Sequence, residues 1–574
     1  MCLLMELIDQ QNQGYRQAMK RRSQYCYESI SFACAYKITE FYFCFVTDKG
    51  SKNMENVENR ATISAQTKGR QRRALGVRDL VFYTIAGSLG LDTLGAAASY
   101  GGQALFWVLL VGLTFYIPYQ MLTAELGSTF PRAGSIYEWG KMSGGRFYAA
   151  IAAMLYWIAN PLWIGGTMFV TIITAIKVLW FGNPNMLFGG NKVNDALITI
   201  VIALVFIWSI MGSAMTPISI NKRLSALGAG AKLGLIAIFV LLALAFFISG
   251  HATGTHMTVH DLLPSSTLAI IVSGILPVMI FKWQGFEVQV NVGDEVGDPQ
   301  HAVPRSMLLT GGLAFLAYVI PITVTIFALS KTQVVGSSGL MQAISNVTII
   351  LPDPIALFLR FVLVPVFVVA LGASGATWMI SANRAYAVTA RDYAAPRMLA
   401  RFDQRTEAPR NAIIASGVIA TIVMILAVTI NSFTAGTLQS LFTLVLGFTV
   451  SVNTLAYLFI FPDLILLRFK QPDVPRPYYV PGGMAGAWIV TILSMFYTIL
   501  VSYFLLFPTS NVIKAANVSR AVYESTQLIT LGIILLLTVG FYLWGRRERQ
   551  QDERNGITTE SDQPHEETST RGQF

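Results

Sequence analysis

Twelve apolar segments follow one another along the chain from Asp79 onward, separated by short polar loops. Each is long enough to cross the hydrocarbon core of a bilayer as a helix, for which ~20 residues suffice. We call them spans 1 to 12, and they cover about residues 79–98, 104–127, 145–180, 195–215, 224–249, 266–292, 306–329, 355–391, 411–430, 434–468, 487–507 and 525–544. The pattern predicts an all-α polytopic membrane protein with twelve transmembrane helices.

Spans 1 and 6 are interrupted by glycine and by charge. Span 1 contains AGSLGLD (86–92), and span 6 contains FKWQGFE (281–287). A charge at the bilayer centre costs at least ~2.5–3.5 kcal/mol, so such residues normally face a cavity inside the protein. Glycine lets the backbone leave helical geometry, which is tolerated at membrane depth only beside such a cavity. We therefore predict that both helices are broken.

The spacing of the two breaks predicts an internal repeat. Span 6 follows span 1 by five spans, and because five is an odd number the second five-helix unit enters the membrane in the opposite sense. Residues 79–249 and 266–468 are thus interpreted as the halves of a five-plus-five inverted repeat, followed by spans 11 and 12 (487–544). Broken helices at corresponding positions of such a repeat are typical of secondary transporters.

Composition and loop charge fit this interpretation. The chain is 54% hydrophobic and 13% charged, with a mean hydropathy of +0.55. The formal charge of +10 does not indicate nucleic acid binding, because the basic residues lie in the loops before span 1, after span 12 and after spans 2, 4, 8 and 10. This distribution predicts cytoplasmic amino and carboxyl termini. We expect a multi-pass protein of the plasma membrane.

The two ends of the chain differ from its centre. All four cysteines lie in the first 44 residues, and their spacing matches no zinc site, so neither a metal centre nor a disulfide framework is predicted. Residues 1–53 are interpreted as a spurious or disordered extension. Residues 54–78 and 545–574 are expected to be cytoplasmic tails, the second of them disordered.

Three features within the spans are candidates for chemistry, each with a structural alternative. A break at Gly87, Ser88 and Gly90 would present backbone groups able to hold a carboxylate, although small residues also serve close helix packing. Lys232 in span 5 could stand where a metal cation would otherwise bridge helices, or extend its ammonium towards the surface. Glu287 could pass a proton between the two sides, or tie span 6 to a neighbouring helix.

Two other function classes are disfavoured. A channel would need a continuous polar stripe or rings of like residues, which no span supplies. An enzyme would need a nucleophile, a base or metal ligands in convergent positions, but the five histidines lie in loops or the tail, outside the spans. Neither a catalytic residue nor a cofactor is therefore predicted.

Several short motifs, in this order, resemble the amino acid–polyamine–organocation permeases over roughly residues 75–544. They are AGSLG (86–90), AEL (124–126), FPRAGSIY (130–137), GFE (285–287), DEVGDPQ (294–300), VPR (303–305), NRAYAVTARD (383–392), PRNA (409–412) and VPGG (480–483). The resemblance implies a permease of this fold that holds an amino acid between helices 1, 3, 6, 8 and 10.

The resemblance also implies roles for individual positions. Gly87 and Ser88 would bind the substrate carboxylate beside the break at Gly285, while Phe281 and Trp378 match aromatic residues that close over the substrate. Lys232 is similar to a lysine that replaces sodium in proton-linked or exchanging members. We therefore expect transport that is sodium-independent, and either proton-coupled or exchanging.

Three residues depart from the family pattern. The third residue of the family's Gly-Ser-Gly break is Leu89 here, with Gly90 one position later. Asp92 adds an acid just beyond this break, and Lys282 adds a cation in the opposing one. An acid beside the pocket would favour an amine without its own carboxylate, such as a polyamine, whereas Asp92 could instead face another helix. An amino acid is the first choice of substrate and a polyamine is the alternative.

Overall fold

The computed structural model describes residues 75–251, 258–328, 339–433 and 438–556. Within these ranges, eleven helices are long and apolar enough to cross a membrane. They are Gln103–Thr129, Arg146–Phe181, Lys192–Ala214, Ile218–Ile248, Leu268–Gln289, Pro299–Ala328, Asp353–Arg391, Arg410–Ser432, Phe442–Lys470, Gly483–Leu506 and Arg520–Arg554. Each overlaps one of the predicted spans 2 to 12, which confirms the all-α polytopic fold class.

Span 1 is broken at the predicted position. Helix Val77–Ser88 ends there, and the short helix Leu94–Ala98 follows. The intervening residues are non-helical, with Leu89 in an extended conformation (φ −72°, ψ 93°), and Asp92 lies among them. Neither piece is long enough to span a membrane alone. The count of twelve transmembrane helices therefore remains a prediction.

Span 6 is broken in the same way. Helix Leu276–Trp283 ends in an extended Gln284, and a short 3₁₀ turn, Phe286–Gln289, follows. Gly285 between them has φ +93°, and a Cβ placed on it would lie 2.3 Å from the ring of Trp378. Both the left-handed backbone and the close approach require glycine at this position.

The packing of the helices explains which spans surround a site. Span 1 packs against spans 5, 7 and 8, and span 3 packs against spans 8 and 10. The most apolar stretch of span 3 is entirely buried, whereas that of span 12 is mostly exposed. Apolar side chains such as Leu308, Leu536 and Val205 lie on outer faces, as expected where lipid is the solvent. The broken spans therefore lie inside the bundle.

Span 12 is longer than the sequence predicted. Its helix runs past residue 544 as far as Arg554, so the expected tail boundary at residue 545 falls inside a helix. The extension is charged and makes polar contacts: Arg549 pairs with Glu553 one turn later at 2.7 Å, and Asp552 pairs with Arg397 and accepts a hydrogen bond from Tyr393 at 2.8 Å. The predicted segment 1–53, residues 54–74 of the first predicted tail and residues 557–574 of the second lie outside the described residues.

Candidate functional site

A cavity lies where the two breaks meet. Spans 1, 3, 6, 8 and 10 all contribute to its walls. The residues that line it are Gly87, Ser88, Gly90, Asp92, Thr93, Ala159, Asn160, Trp163, Phe281, Lys282, Gln284, Trp378, Thr449 and Asn453. Of the predicted binding residues, only Gly285 is not among them, because it packs behind the Trp378 ring.

The ends of the two broken helices are tied together by side chains. The Ser88 hydroxyl donates a hydrogen bond to the Gly285 carbonyl. The hydroxyl of Tyr318, on span 7, accepts a hydrogen bond from the Gly90 N–H at 3.1 Å. It also lies 2.9 Å from Ser88 O and 2.8 Å from Lys282 O, between which its proton is shared. Tyr318 therefore holds both breaks in register.

Lys232 binds the carboxyl end of the first half of span 1. Its Nζ donates hydrogen bonds to the carbonyls of Ala86 and Leu89, both at 2.6 Å, and lies 3.4 Å from that of Ile85. The last carbonyls of a helix have no partner within it, and they form the negative end of its dipole. A fully buried ammonium is thus stabilised by the groups that the break exposes.

Asp92 and Lys282 place opposite charges on the cavity wall. The Asp92 carboxylate accepts a hydrogen bond from Trp163 Nε1 at 3.2 Å, and its other oxygen, Oδ1, has no hydrogen-bond partner among the described residues. The Lys282 ammonium lies over the Tyr318 ring, 4.6 Å from its centre, and 3.4 Å from Thr93 Oγ1. The two charges lie close enough to attract each other electrostatically.

Glu287 lies behind the break in span 6 and does not line the cavity. Its Oε1 accepts a hydrogen bond from the Tyr457 hydroxyl at 2.6 Å, and its backbone N–H donates to the Tyr119 hydroxyl at 3.2 Å. Its Oε2 is buried without a hydrogen-bond partner in the described ranges. Such a carboxyl can be held either as a structural acceptor or as a proton carrier.

Aromatic side chains cover the cavity on the sides of spans 3 and 8. Trp378 Nε1 donates a hydrogen bond to the Gly87 carbonyl at 3.2 Å. Its ring lies 5.7 Å from that of Tyr156 and 6.3 Å from that of Trp163. Phe281 lines the cavity and is only partly buried. The hydrogen bond to Gly87 shows that Trp378 contacts the break of span 1 directly.

Ion pairs and backbone hydrogen bonds link several spans at the end where the basic loops lie. Arg384 on span 8 pairs with Glu295 at 2.8 Å and with Asp294 at 3.4 Å, both in the loop after span 6. Burial raises the pKa of Glu295, and Arg384 partly offsets that rise. Leu75, just before span 1, exchanges backbone hydrogen bonds with the same loop, accepting from Gly297 at 3.1 Å. These contacts join span 8 and the start of span 1 to the loop after span 6.

Several lining residues were not predicted from the sequence. They are neutral polar or aromatic residues inside apolar spans: Thr93, Asn160, Trp163, Gln284, Thr449 and Asn453. Asn160 and Asn453 could have been predicted from the sequence, because a carboxamide within a transmembrane helix needs a polar partner. Lys282 was noticed as a deep charge but was not assigned to the binding residues.

The chain is similar to known transporters over most of its length. A family model described as amino acid permease matches residues 75–536. A probable agmatine/putrescine antiporter of Lactococcus lactis is 24% identical, over 80% of this chain and 92% of that protein. An uncharacterized transporter of Legionella pneumophila is 26% identical, over 72% of this chain and 85% of that protein. A glutamate/gamma-aminobutyrate antiporter of Lactococcus lactis is 23% identical, over 75% of this chain and 83% of that protein.

These similarities agree with the architecture. The matched range includes both broken spans and every residue that lines the cavity. A polar cavity formed where two broken helices meet is the usual arrangement in secondary transporters. The protein therefore belongs to the amino acid permease family and is an integral, multi-pass membrane transporter.

Proposed function

We propose that the protein moves zwitterionic amino acids across the plasma membrane by alternating access, without sodium. The observation that supports this most directly is the charge of the cavity wall. Asp92 and Lys282 are the charged residues among those lining the cavity, one on each broken span. One negative and one positive charge sum to zero, which matches a substrate that itself bears one ammonium and one carboxylate.

Electrostatics in a buried site favours this match. Two unit charges 4 Å apart interact by about 4 kcal/mol at an effective dielectric constant of 20. An amino acid can place its ammonium against Asp92, whose Oδ1 lacks a partner among the described residues, and its carboxylate towards Lys282. A diamine would bring a second positive charge near Lys282, and a dicarboxylate would bring a second negative charge near Asp92. Each of these would leave one charge uncompensated.

The position of Lys232 supports sodium independence. A sodium ion in a broken-helix transporter is coordinated by carbonyls exposed at the break. Here the Lys232 ammonium already binds the carbonyls of Ala86 and Leu89. A second cation at the same carbonyls would be repelled, so the driving force would come from protons or from exchange.

Glu287 is the residue that we propose for proton coupling. It is buried in the wall between the cavity and spans 2 and 10, and one of its oxygens has no partner in the described structure. The Tyr457 and Tyr119 hydroxyls, which contact Glu287, provide polar groups along which a proton could approach. The carboxyl would bind a proton on one side of the membrane and release it on the other.

A polyamine remains the second candidate substrate. The free Asp92 Oδ1 would bind an ammonium whether or not the ligand also has a carboxylate. The probable agmatine/putrescine antiporter is also among the relatives. The orientation that we propose, with both termini cytoplasmic, is the same for either substrate and is supported by the basic loops.

A ligand series on the purified protein tests the proposal. Melting temperatures would be measured with each of the common amino acids, putrescine and agmatine, and the best ligand would then be used for counterflow in liposomes. We expect saturable counterflow of a zwitterionic amino acid. Its decarboxylated amine and its deaminated acid should each bind at least about tenfold more weakly. A preference for putrescine over every amino acid would establish the alternative, and flux without counterflow would indicate a channel.

A further inference from the structure

The wall of the cavity formed by span 10 is polar and uncharged. Thr449 and Asn453 are four residues apart in helix Leu438–Ile460, so they lie one above the other on the same face. Both line the cavity, and they are only 2% and 3% exposed. The Thr449 hydroxyl and the Asn453 Oδ1 have no hydrogen-bond partner among the residues that the structure describes.

The Asn453 amide is hydrogen-bonded to the break in span 6. Its Nδ2 donates a hydrogen bond to Gln284 Oε1 at 3.0 Å, and Gln284 Nε2 donates in turn to Thr454 Oγ1 at 3.4 Å. The nitrogen of Asn453 is therefore occupied, and its oxygen is left as an acceptor.

We infer that Thr449, Asn453 and Gln284, which we call the amide subsite, bind a polar but uncharged side chain of the transported amino acid. A primary amide is the best match. Its NH₂ group would donate to Asn453 Oδ1, and its carbonyl would accept from the Thr449 hydroxyl. A hydroxyl side chain could satisfy one of the two groups. This inference rests on the proposed transport of zwitterionic amino acids and specifies which of them the site prefers.

Other side chains would fit the amide subsite less well. An apolar side chain would leave two buried polar groups unpaired, and sites built to form hydrogen bonds reject analogues that cannot form them. A carboxylate would face the Asn453 oxygen, which also accepts, with no cation in the subsite. An ammonium would find one acceptor but no counter-charge there. We therefore expect glutamine or asparagine to bind more tightly than leucine or glutamate.

Two loss-of-contact variants test the subsite. Thr449→Val and Asn453→Leu keep the approximate volume and remove the hydrogen-bonding groups. In liposomes, competition by glutamine should weaken about 5- to 20-fold in each, and competition by leucine should change less than about twofold. Thr538→Val on span 12 is the matched control, because Thr538 is also buried but bonds its own helix at Ile534. This control should change neither value.

A gain-of-contact variant keeps the inference falsifiable if a loss variant folds poorly. Asn453→Asp places a carboxylate at the acceptor position, and it should raise the affinity for ornithine or lysine relative to glutamine by about tenfold or more. The subsite is overturned, and the proposed function stands, if the wild-type protein transports amino acids without preferring amides. The same conclusion follows if all three variants weaken competition by glutamine and by leucine equally. If no zwitterionic amino acid is transported, both fail.

Discussion

Replacing Lys232 with methionine would remove the ammonium group that binds the end of the first half of span 1. Its Nζ lies 2.6 Å from the carbonyl oxygens of Ala86 and Leu89. Methionine keeps the unbranched shape of lysine, but it cannot donate a hydrogen bond. The two carbonyls would therefore be left buried and without their donor.

The size of the effect follows from these contacts. Each buried polar group left unpaired costs about 1–3 kcal/mol, so the two carbonyls together account for about 2–6 kcal/mol. Relief of the buried charge offsets part of this loss. We expect a net destabilisation of the broken-helix arrangement by about 2 kcal/mol, which changes its population by about 30-fold. Exchange should be lost while the bundle still folds.

The assay compares melting and counterflow for wild type, Lys232→Met and Lys232→Ser. Serine leaves space at the carbonyls, so sodium, but not choline, should raise the melting temperature of that variant. Lys177→Met is a matched control, because Lys177 is equally buried but pairs with Asp195 at 2.8 Å, away from the breaks. If Lys232→Met exchanges substrate normally with an unchanged pH profile, and Lys232→Ser gains no response to sodium, the lysine does not replace a cation.

Three further substitutions test the geometry of the breaks. Tyr318→Phe removes the hydroxyl that bonds to both breaks, so it should slow counterflow about tenfold without loss of monodisperse protein. An unchanged rate would show that transport does not depend on the alignment of the two breaks by Tyr318. Gly285→Ala would place a Cβ on a residue with φ +93° and against the Trp378 ring, so it should lower the melting temperature by several degrees. Gly540→Ala, in open space on span 12, is the control and should not lower it; equal melting temperatures of the two variants would contradict the close approach. Glu287→Gln keeps the acceptor oxygen but cannot exchange a proton, so uptake driven by a pH gradient should disappear while counterflow at equal pH persists. Loss of both activities, or of neither, would argue against a coupling role.

The breaks could be predicted from the sequence because glycine and charge within an apolar run have few structural explanations. The AGSLGLD and FKWQGFE segments were identified on that basis, and in the structure each contains the end of a helix followed by non-helical residues, Leu89–Asp92 in the first and Gln284–Gly285 in the second. The expected meeting of spans 1, 3, 6, 8 and 10 around a cavity came from the family resemblance, and the lining residues agree with it. Loop charge alone predicted which end is cytoplasmic, and that orientation stays a prediction.

Other parts of the site depend on the rotation of each helix about its own axis, which the apolar pattern does not fix. Thr449 and Asn453 are ordinary polar residues of a long apolar helix until their face is known. Tyr318 resembles a packing residue in the sequence, and its contacts with both breaks depend on the position of span 7. The length of span 12 was underestimated because its last turns are stabilised by charge pairs such as Arg549–Glu553 rather than by apolar burial.

The measurement that tests the central claim most directly is a double cycle on Asp92. The affinities of wild type and Asp92→Asn would be measured for the best-binding amino acid and for its deaminated analogue, which keeps the carboxylate and the side chain. Asparagine preserves the volume and an oxygen that can accept from Trp163, while an uncharged NH₂ group replaces the Oδ1 that would accept from the substrate ammonium. If Asp92 binds the substrate ammonium, the variant should bind the amino acid at least about tenfold more weakly and the analogue less than about twofold more weakly, a coupling of at least about 1 kcal/mol. Equal losses for both ligands, or no loss for the amino acid, would contradict the account.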